Sequence, residues 1–534
     1  MSKTKYIFVT GGVTSSLGKG IISASLARLL QARGFSVTIQ KLDPYINVDA
    51  GTIDPYEHGE CFITDDGAKA DLDLGHYERF LNISTSQANS VTTGRVYQSI
   101  IEKERNGGFN GLTVQVIPHI TDEIKNRIQI LGNTGKFDFV ITEIGGTVGD
   151  IESLPYIEAV RQMRWEKHDD CVMIHLTLVP YLAAAGELKT KPTQHSVKML
   201  QEQGVQPDII VCRTSHHITQ AMRNKISLFC NVPPTGVVES IDAPTIYDVP
   251  FLMYEEGLDK EVLRKFNIPA DREPDLTDWK HFLNGVKNPQ KTVDIALVGK
   301  YVELKDSYKS IIEAFIHAGV ANNCKVKLKL IQSEHITKEN VKEKLKDVAG
   351  ILVAPGSGNR GIEGKIETIR YAREEKIPFF GIALGMQCAV IEFARNVLGY
   401  KDADSIEFNS NTLHQVVNLM ENQKPNGTMR LGAYPCAITQ GSKAHEAYHT
   451  DLVYERHYHC YEFNTDYREK FTQAGMKPSG ISGKENLVEI IELEGHPWFI
   501  ATQFHPEYKS TVIKPHPLFV RFVGEAIKQQ EKTT

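Results

Sequence analysis

An apolar run, Tyr6–Thr10, leads into Gly11-Gly12-Val13-Thr14-Ser15-Ser16-Leu17-Gly18-Lys19-Gly20, and an amphipathic stretch follows at once. Beyond Gly20, the residues Ile21, Ile22, Leu26, Leu29 and Leu30 fall on one face of a helix that should end near Gly34. Strands separated by helices imply parallel pairing. The same alternation recurs along the chain. Ser36–Leu42, Phe137–Thr142, Val172–Leu178 and Asp208–Arg213 read as strands in the first half. Val293–Val298, Lys325–Ile331, Gly350–Val353 and Pro378–Ile382 repeat the pattern in the second. The expected fold class is therefore α/β, with two doubly wound parallel-sheet domains carrying helices on both faces.

A chain of 534 residues exceeds what one hydrophobic core supports. Asn267–Gln290 contains Pro269, Pro274 and Pro289 among polar residues and reads as the linker, with Trp279, Phe282 and Leu283 implying that part of it packs. The expected domains are 1–266 and 293–534, joined by 267–292. Net charge is −6 with no long run of one sign, which argues against a surface that coats nucleic acid. Val172–Leu188 is broken by His175, Pro180 and Glu187, so no membrane span is expected. Tyr6–Val9 is too short an apolar run for a secretory signal. Eight cysteines without a CxxC pair suit free thiols in a cytoplasmic protein and offer no zinc site.

The run 11–20 carries phosphate chemistry. Glycines let the backbone approach a polyphosphate, amides at a helix N-terminus cradle it, and Lys19 neutralises its charge. Five residues separate Gly12 from Gly18 where the standard P-loop has four, and Gly20 stands in place of the magnesium-binding Ser or Thr. A glycine-rich turn without ligand shares the pattern. A metal would need other ligands, and Asp71, Asp73 and Glu143 are candidates, Glu143 because it ends a strand.

Five segments then occur in order: 6–20; Lys41-Leu-Asp-Pro-Tyr-Ile-Asn47; Asp71-Leu-Asp-Leu-Gly-His-Tyr-Glu78; Gly145-Gly-Thr-Val-Gly-Asp-Ile-Glu152; and Gly186-Glu-Leu-Lys-Thr-Lys-Pro-Thr-Gln-His-Ser196. Together they closely resemble CTP synthases, and with the second half the resemblance covers nearly the whole chain. It implies an amidoligase domain that uses ATP to phosphorylate the 4-oxygen of UTP, after which ammonia displaces phosphate to give CTP. Ser16, Leu17, Gly18, Lys19, Gly20, Ile21 and Arg213 would then contact ATP, and Asp73 and Glu143 would hold Mg2+. Ser15, Lys189, Thr190, Lys191, Pro192, Thr193, Gln194 and Lys225 would bind UTP, with Lys19 and Lys41 stabilising phosphates. Asp150, Ile151 and Glu152 would belong to a feedback site for CTP. The resemblance further implies a homotetramer able to stack into filaments, and GTP as an allosteric effector. Ala50, Lys69 and Ala70 depart from the family pattern at positions that match no ligand.

The second half resembles a class I glutamine amidotransferase. That family sets a cysteine between two glycines, on a tight strand-to-helix turn that exposes the thiol at a helix N-terminus. Here the run is Phe380-Gly381-Ile382-Ala383-Leu384-Gly385-Met386-Gln387, with Ala383 at the nucleophile position. His505 and Glu507 match the general base and the carboxylate that orients it. Gly356, Leu384, Gly385, Met386, Gln387 and Glu407 match glutamine-binding positions. Three further residues depart from the pattern: Ser357 where CTP synthases usually have Phe, and Tyr458 and Cys460 in place of two arginines, the second of which binds the glutamine carboxylate. Cys388 lies inside the helix after the turn, and neither it nor Cys460 is placed to attack.

The expectation is an ATP-dependent C–N ligase that takes free ammonia, its glutaminase decayed. An engineered Cys-to-Ala substitution in a glutamine-using enzyme, a ligase of the cobyric-acid-synthase type, and a non-catalytic filament or regulatory subunit are the competing accounts.

Overall fold

The computed structural model describes residues 4–419, 429–483 and 486–533. It divides into two compact units, 1–52 with 73–280, and 53–72 with 281–534.

In the first unit the β-branched runs form a sheet of seven strands. Their order is Val237–Ile241, Ile209–Thr214, Cys171–Leu178, Lys5–Gly11, Phe139–Ile144, Val37–Asp43 and Ser90–Thr92. Every pairing is parallel. The central strands are buried along their length, as a sheet covered on both faces requires. Helix Lys19–Ala32 follows the first strand, and its N-cap Gly18 holds φ 93°, a left-handed conformation that favours glycine. The connection from Lys5–Gly11 runs across Phe139–Ile144 to Val37–Asp43, and that from Phe139–Ile144 runs the opposite way to Cys171–Leu178. The crevice at the carboxyl ends of Lys5–Gly11 and Phe139–Ile144 is therefore the natural ligand site.

The second unit has nine strands in the order Cys324–Gln332, Lys291–Gly299, Gly350–Val353, Phe379–Ile382, Phe499–Thr502, Val488–Leu493, Met476–Ser482, Arg430–Ile438 and Leu452–His459. Its first five strands are parallel, the four expected from the sequence joined by Phe499–Thr502, which was not expected. The other four continue antiparallel, a direction that Met476–Ser482 and Val488–Leu493 must take because the connection between them is too short for a crossover.

Residues 53–72 are sequence-adjacent to the first unit yet belong to the second. Glu60 accepts hydrogen bonds from the Ser310 amide at 2.9 and 3.0 Å, at the start of helix Lys309–Ala321. The guanidinium of Arg456, 1% exposed, bonds Asp65 at 2.7 Å and the Ile63 carbonyl at 3.0 Å. Tyr508 donates to the Cys61 carbonyl at 2.9 Å. The segment expected as a linker contains helix Thr277–Lys287, and the division between units falls inside it. Trp279 is fully buried and donates to the Tyr247 carbonyl at 2.9 Å, whereas Phe282 rests 5.7 Å from the His317 ring.

Candidate active sites

At the carboxyl ends of the first sheet, Lys41, Asp73, Glu143 and Tyr77 converge. The Lys41 ammonium bonds Asp73 and reaches Glu143 Oε1 at 3.1 Å, while the Tyr77 hydroxyl donates to Glu143 Oε2. Glu143 is 1% exposed and Tyr77 fully buried, and burial and the Glu143 charge hold the tyrosine well above its ordinary pKa. A Cβ on Gly20 would stand 2.5 Å from Asp73 Oδ1 and 3.3 Å from Glu143 Oε2. That contact explains why neither Ser nor Thr occupies the position. Lys19 donates to the Gly146 carbonyl, and burial, opposed by Glu143, lowers its pKa. The carboxylates of Asp73 and Glu143, beside Lys19 and Lys41, form a donor set of the kind that holds one Mg2+ together with water.

Arg213 approaches the P-loop, with Nη1 3.6 Å from a Cβ built on Gly18, and pairs with Asp242 at 2.7 Å. Ser15 and Ser16 lie exposed on the turn, where Ser16 has φ 59°. Thr190 caps helix Lys191–Glu202, which brings Lys191, Pro192, Thr193 and Gln194 into its first turn. Gln194 donates to Thr190 Oγ1 at 3.1 Å, and the Thr193 hydroxyl meets that of Thr177 at 2.6 Å. Lys189 pairs with Glu187, whose carboxyl is lowered by that hydrogen bond first and also by Lys225. Asp150, Ile151 and Glu152 sit on an exposed turn of their own, where Asp150 accepts from the Thr147 amide at 2.8 Å.

One residue here was not read from the sequence as functional. His175 spans the P-loop strand and the helix that starts at Lys191, with Nδ1 2.9 Å from Thr10 Oγ1 and Nε2 2.7 Å from Ser196 Oγ. Ser196 Oγ fills the place a Cβ on Gly12 would need, 1.8 Å away. Burial holds the imidazole neutral, its pKa lowered to about 3. Only the break it makes in an apolar strand marks it in the sequence.

In the second unit the elbow is built as its glycines require. Strand Phe379–Ile382 ends at Ala383, φ 49° and ψ −104°, before helix Leu384–Asn396. A Cβ on Gly385 would lie 2.3 Å from the Val353 carbonyl oxygen, and one on Gly381 2.9 Å from Ala501 Cβ. Ile382 is in register with Thr502, and the Ala383 amide donates to the Thr502 carbonyl at 2.7 Å. The elbow and the segment carrying His505 thus leave adjacent strands at the same end. His505 Nδ1 meets Glu507 Oε1 at 2.8 Å, with the two residues 3% and 2% exposed.

Loop 355–361 is clamped by two lysines. Lys300 donates to the carbonyls of Ser357, at 2.6 Å, and Gly358, while fully buried Lys365 donates to that of Ala354 at 2.6 Å. Burial lowers their pKa values to about 8 and about 7. Gly356 has φ 149°, and the Gly358 amide donates to Glu407 Oε1 at 2.7 Å. Met386 is fully buried in the first turn of the elbow helix, and Gln387 donates from there to the Tyr461 carbonyl at 3.0 Å. Cys460 is half-buried, its thiol raised by burial and then by Glu407. Cys388 is fully buried within the helix, its thiol pushed up to about 11.

Two of the positions that depart from the family pattern, Lys69 and Tyr458, meet beside His505. Tyr458 lies 6.4 Å from the His505 ring, and the Lys69 ammonium lies 5.9 Å from the Tyr458 ring. Lys69 and Tyr458 are remote in sequence, which hides the connection until hairpin Phe62–Ile63 and Lys69–Ala70 is placed on the second unit.

A profile of the CTP synthase N-terminus matches residues 5–268, and one of class-I glutamine amidotransferases matches 303–524. The CTP synthase of Flavobacterium johnsoniae is 64% identical over all of both chains. That of Bacteroides fragilis is 60% identical, over 99% of this chain and all of its own. Among solved structures, the acivicin-bound glutaminase domain of Trypanosoma brucei CTPS is 38% identical, over 44% of this chain and 94% of its own, with a TM-score of 0.43. On full-length identity to its relatives and on both profiles, this chain belongs to the CTP synthase family.

Proposed function

We propose that this chain forms CTP from UTP and ATP with free ammonia as nitrogen donor, and that it no longer hydrolyses glutamine. The chemistry is that of a C–N ligase of pyrimidine biosynthesis. One contrast supports the reading above all. The Lys19, Lys41, Asp73 and Glu143 cluster of the first unit is complete, whereas the elbow of the second ends in the methyl group of Ala383.

Lys19 and the amides of the following helix turn would bind the ATP phosphates, with Arg213 beside them. Lys41 would stabilise charge on the transferring phosphoryl group, held in place by Asp73 and Glu143. Those two carboxylates would hold Mg2+, which when bound supplies charge neutralisation between phosphates. Lys189, Lys191 and Lys225 would bind the UTP triphosphate, and Asp150 to Glu152 would serve feedback by CTP. Neutral His175 would hold the UTP helix against the P-loop through Ser196.

In the second unit, loss extends beyond Ala383. Ser357 is exposed on the clamped loop, Tyr458 flanks His505, and Cys460 supplies no cation for a glutamine carboxylate. A single engineered change accounts for none of these three, so we read decay. GTP would then be a vestigial effector, and a homotetramer, with filaments a further level of assembly, remains part of the proposal. Among the described residues no helix is long and apolar enough to cross a membrane. The eight free cysteines suit the cytoplasm.

CTP formation from UTP and ATP, assayed with ammonium or glutamine, tests the reading. Activity with ammonium alone is expected. Equal activity with glutamine would overturn it.

A further inference from the structure

Each acid of the first unit's cluster divides its two oxygens between two sides. Asp73 Oδ2 and Glu143 Oε1 hold the Lys41 ammonium, the second at 3.1 Å. Asp73 Oδ1 and Glu143 Oε2 instead border the space beside Gly20, 2.5 and 3.3 Å from a Cβ built there. Gly20 stands where a standard P-loop presents its metal-binding hydroxyl, so the side that glycine leaves uncovered is lined by one oxygen from each acid. The Tyr77 hydroxyl bonds one of those two atoms, Glu143 Oε2. An ionised carboxylate only accepts, so the phenol is the donor.

Three elements set this arrangement. Lys41 and Glu143 are register partners on the neighbouring parallel strands Val37–Asp43 and Phe139–Ile144. Helix Asp73–Leu81 supplies the rest, because Tyr77 follows Asp73 by four residues and lies on the same face one turn along. Its first turn therefore brings an acid to Gly20, and its second brings a donor to the other acid. Tyr77 and Glu143 are 0% and 1% exposed. Phenylalanine would fill the same volume, so the hydroxyl is what tyrosine adds, and it is directed at Glu143. Rotation about the last torsion of a glutamate is soft. A carboxylate bonded through Oε1 alone can turn about it, whereas a second bond to Oε2 fixes its plane.

We propose that Tyr77 is a positioning residue for divalent-cation binding, holding Glu143 so that Oε2 stays on the Gly20 side with Asp73 Oδ1 while Oε1 stays on Lys41. The inference rests on the Mg2+ role proposed above for Asp73 and Glu143, and adds the residue that orients one of them. Acids that ligate metals depend on such outer hydrogen bonds, whose loss typically lowers metal affinity about ten- to a hundredfold. It also gives one reason for both the glycine at 20 and the tyrosine at 77. The first makes room for the two oxygens, and the second keeps one of them there.

The test is Mn2+ titrated into the full chain without nucleotide, with the unbound ion read by electron paramagnetic resonance. Tyr77→Phe should raise the Mn2+ dissociation constant about tenfold. It should raise the Mg2+ needed for half-maximal CTP formation by a similar factor, with turnover at saturating Mg2+ within about threefold of the unsubstituted chain. Unchanged Mn2+ affinity would overturn the proposal, and so would a chain that binds no Mn2+ before substitution. A fall in turnover that saturating Mg2+ does not restore would mark a structural role and overturn it too. Failure of the unsubstituted chain to form CTP from ammonium would overturn the functional reading alone, because the Mn2+ titration does not depend on catalysis.

Discussion

Gly20 and Asp73 touch so closely that any side chain on the first would displace the second, since a Cβ at 20 would lie 2.5 Å from Asp73 Oδ1. The residue that departs from the standard P-loop is therefore required by the carboxylate beside it. Gly20→Ser, which restores the standard sequence, should lower ammonia-dependent turnover about tenfold or more by shifting Asp73 off Lys41. Steady-state kinetics over a range of Mg2+ concentrations would show it, and unaltered turnover would refute the steric account.

Lys19→Ala should cut ammonia-dependent turnover by roughly a hundredfold, the scale of removing one preorganised charge-stabilising donor. Unfolding should stay close to that of the unsubstituted chain, because the lost bond is to a single loop carbonyl, Gly146. Near-normal turnover would mean that the loop does not bind the reacting phosphates.

Ala383 holds the elbow's positive-φ backbone, φ 49° and ψ −104°, with a methyl group as its side chain. Such strain is kept at functional sites and is a liability elsewhere. Ala383→Gly should stabilise the second unit by about 1 kcal/mol, a gain that denaturant unfolding can resolve. Destabilisation would mean that the alanine methyl packs better than its backbone suggests.

Ala383→Cys separates decay from a single lost atom. Cys460 leaves no charge-assisted partner for a glutamine carboxylate, and loss of such a buried pair costs roughly 2–5 kcal/mol. Glutamine affinity should therefore be lower by roughly thirtyfold to several thousandfold. The single reversion should stay nearly inactive with glutamine, adding Cys460→Arg should lower the glutamine required, and adding Ser357→Phe should raise turnover. Full glutamine-dependent activity from Ala383→Cys alone would end the decay account.

Lys365 makes stability depend on pH. Burial brings its pKa from 10.5 to about 7, so between these values the unfolded chain binds the proton and the folded chain does not. Stability should rise with pH across that window, by up to about 1.4 kcal/mol per unit, with the cost fully present below about pH 7. Lys365→Met should flatten the rise, as measured by unfolding at several pH values. An identical slope in both proteins would place the proton elsewhere.

Local chemistry was legible in the sequence. Strand, glycine turn and helix are written in consecutive residues, so both the P-loop and the elbow could be located, and Ala383 identified at its centre, without coordinates. The pattern of hydrophobic periods also predicted most of the parallel strands, because burial on both faces demands unbroken apolar runs, but it did not reveal Ser90–Thr92, Val237–Ile241 or Phe499–Thr502. The antiparallel half of the second sheet was less visible, since short half-buried strands carry a weaker signal. Contacts between distant residues were decided only by the tertiary structure. It assigned 53–72 to the second unit, set Ser196 against Gly12 across His175, pressed Asp73 onto Gly20, and brought Lys69 to Tyr458. The physical reason is that a turn is specified by the dihedral preferences of its own residues, whereas a side-chain contact depends on where two separate backbones are carried by the packing of everything between them.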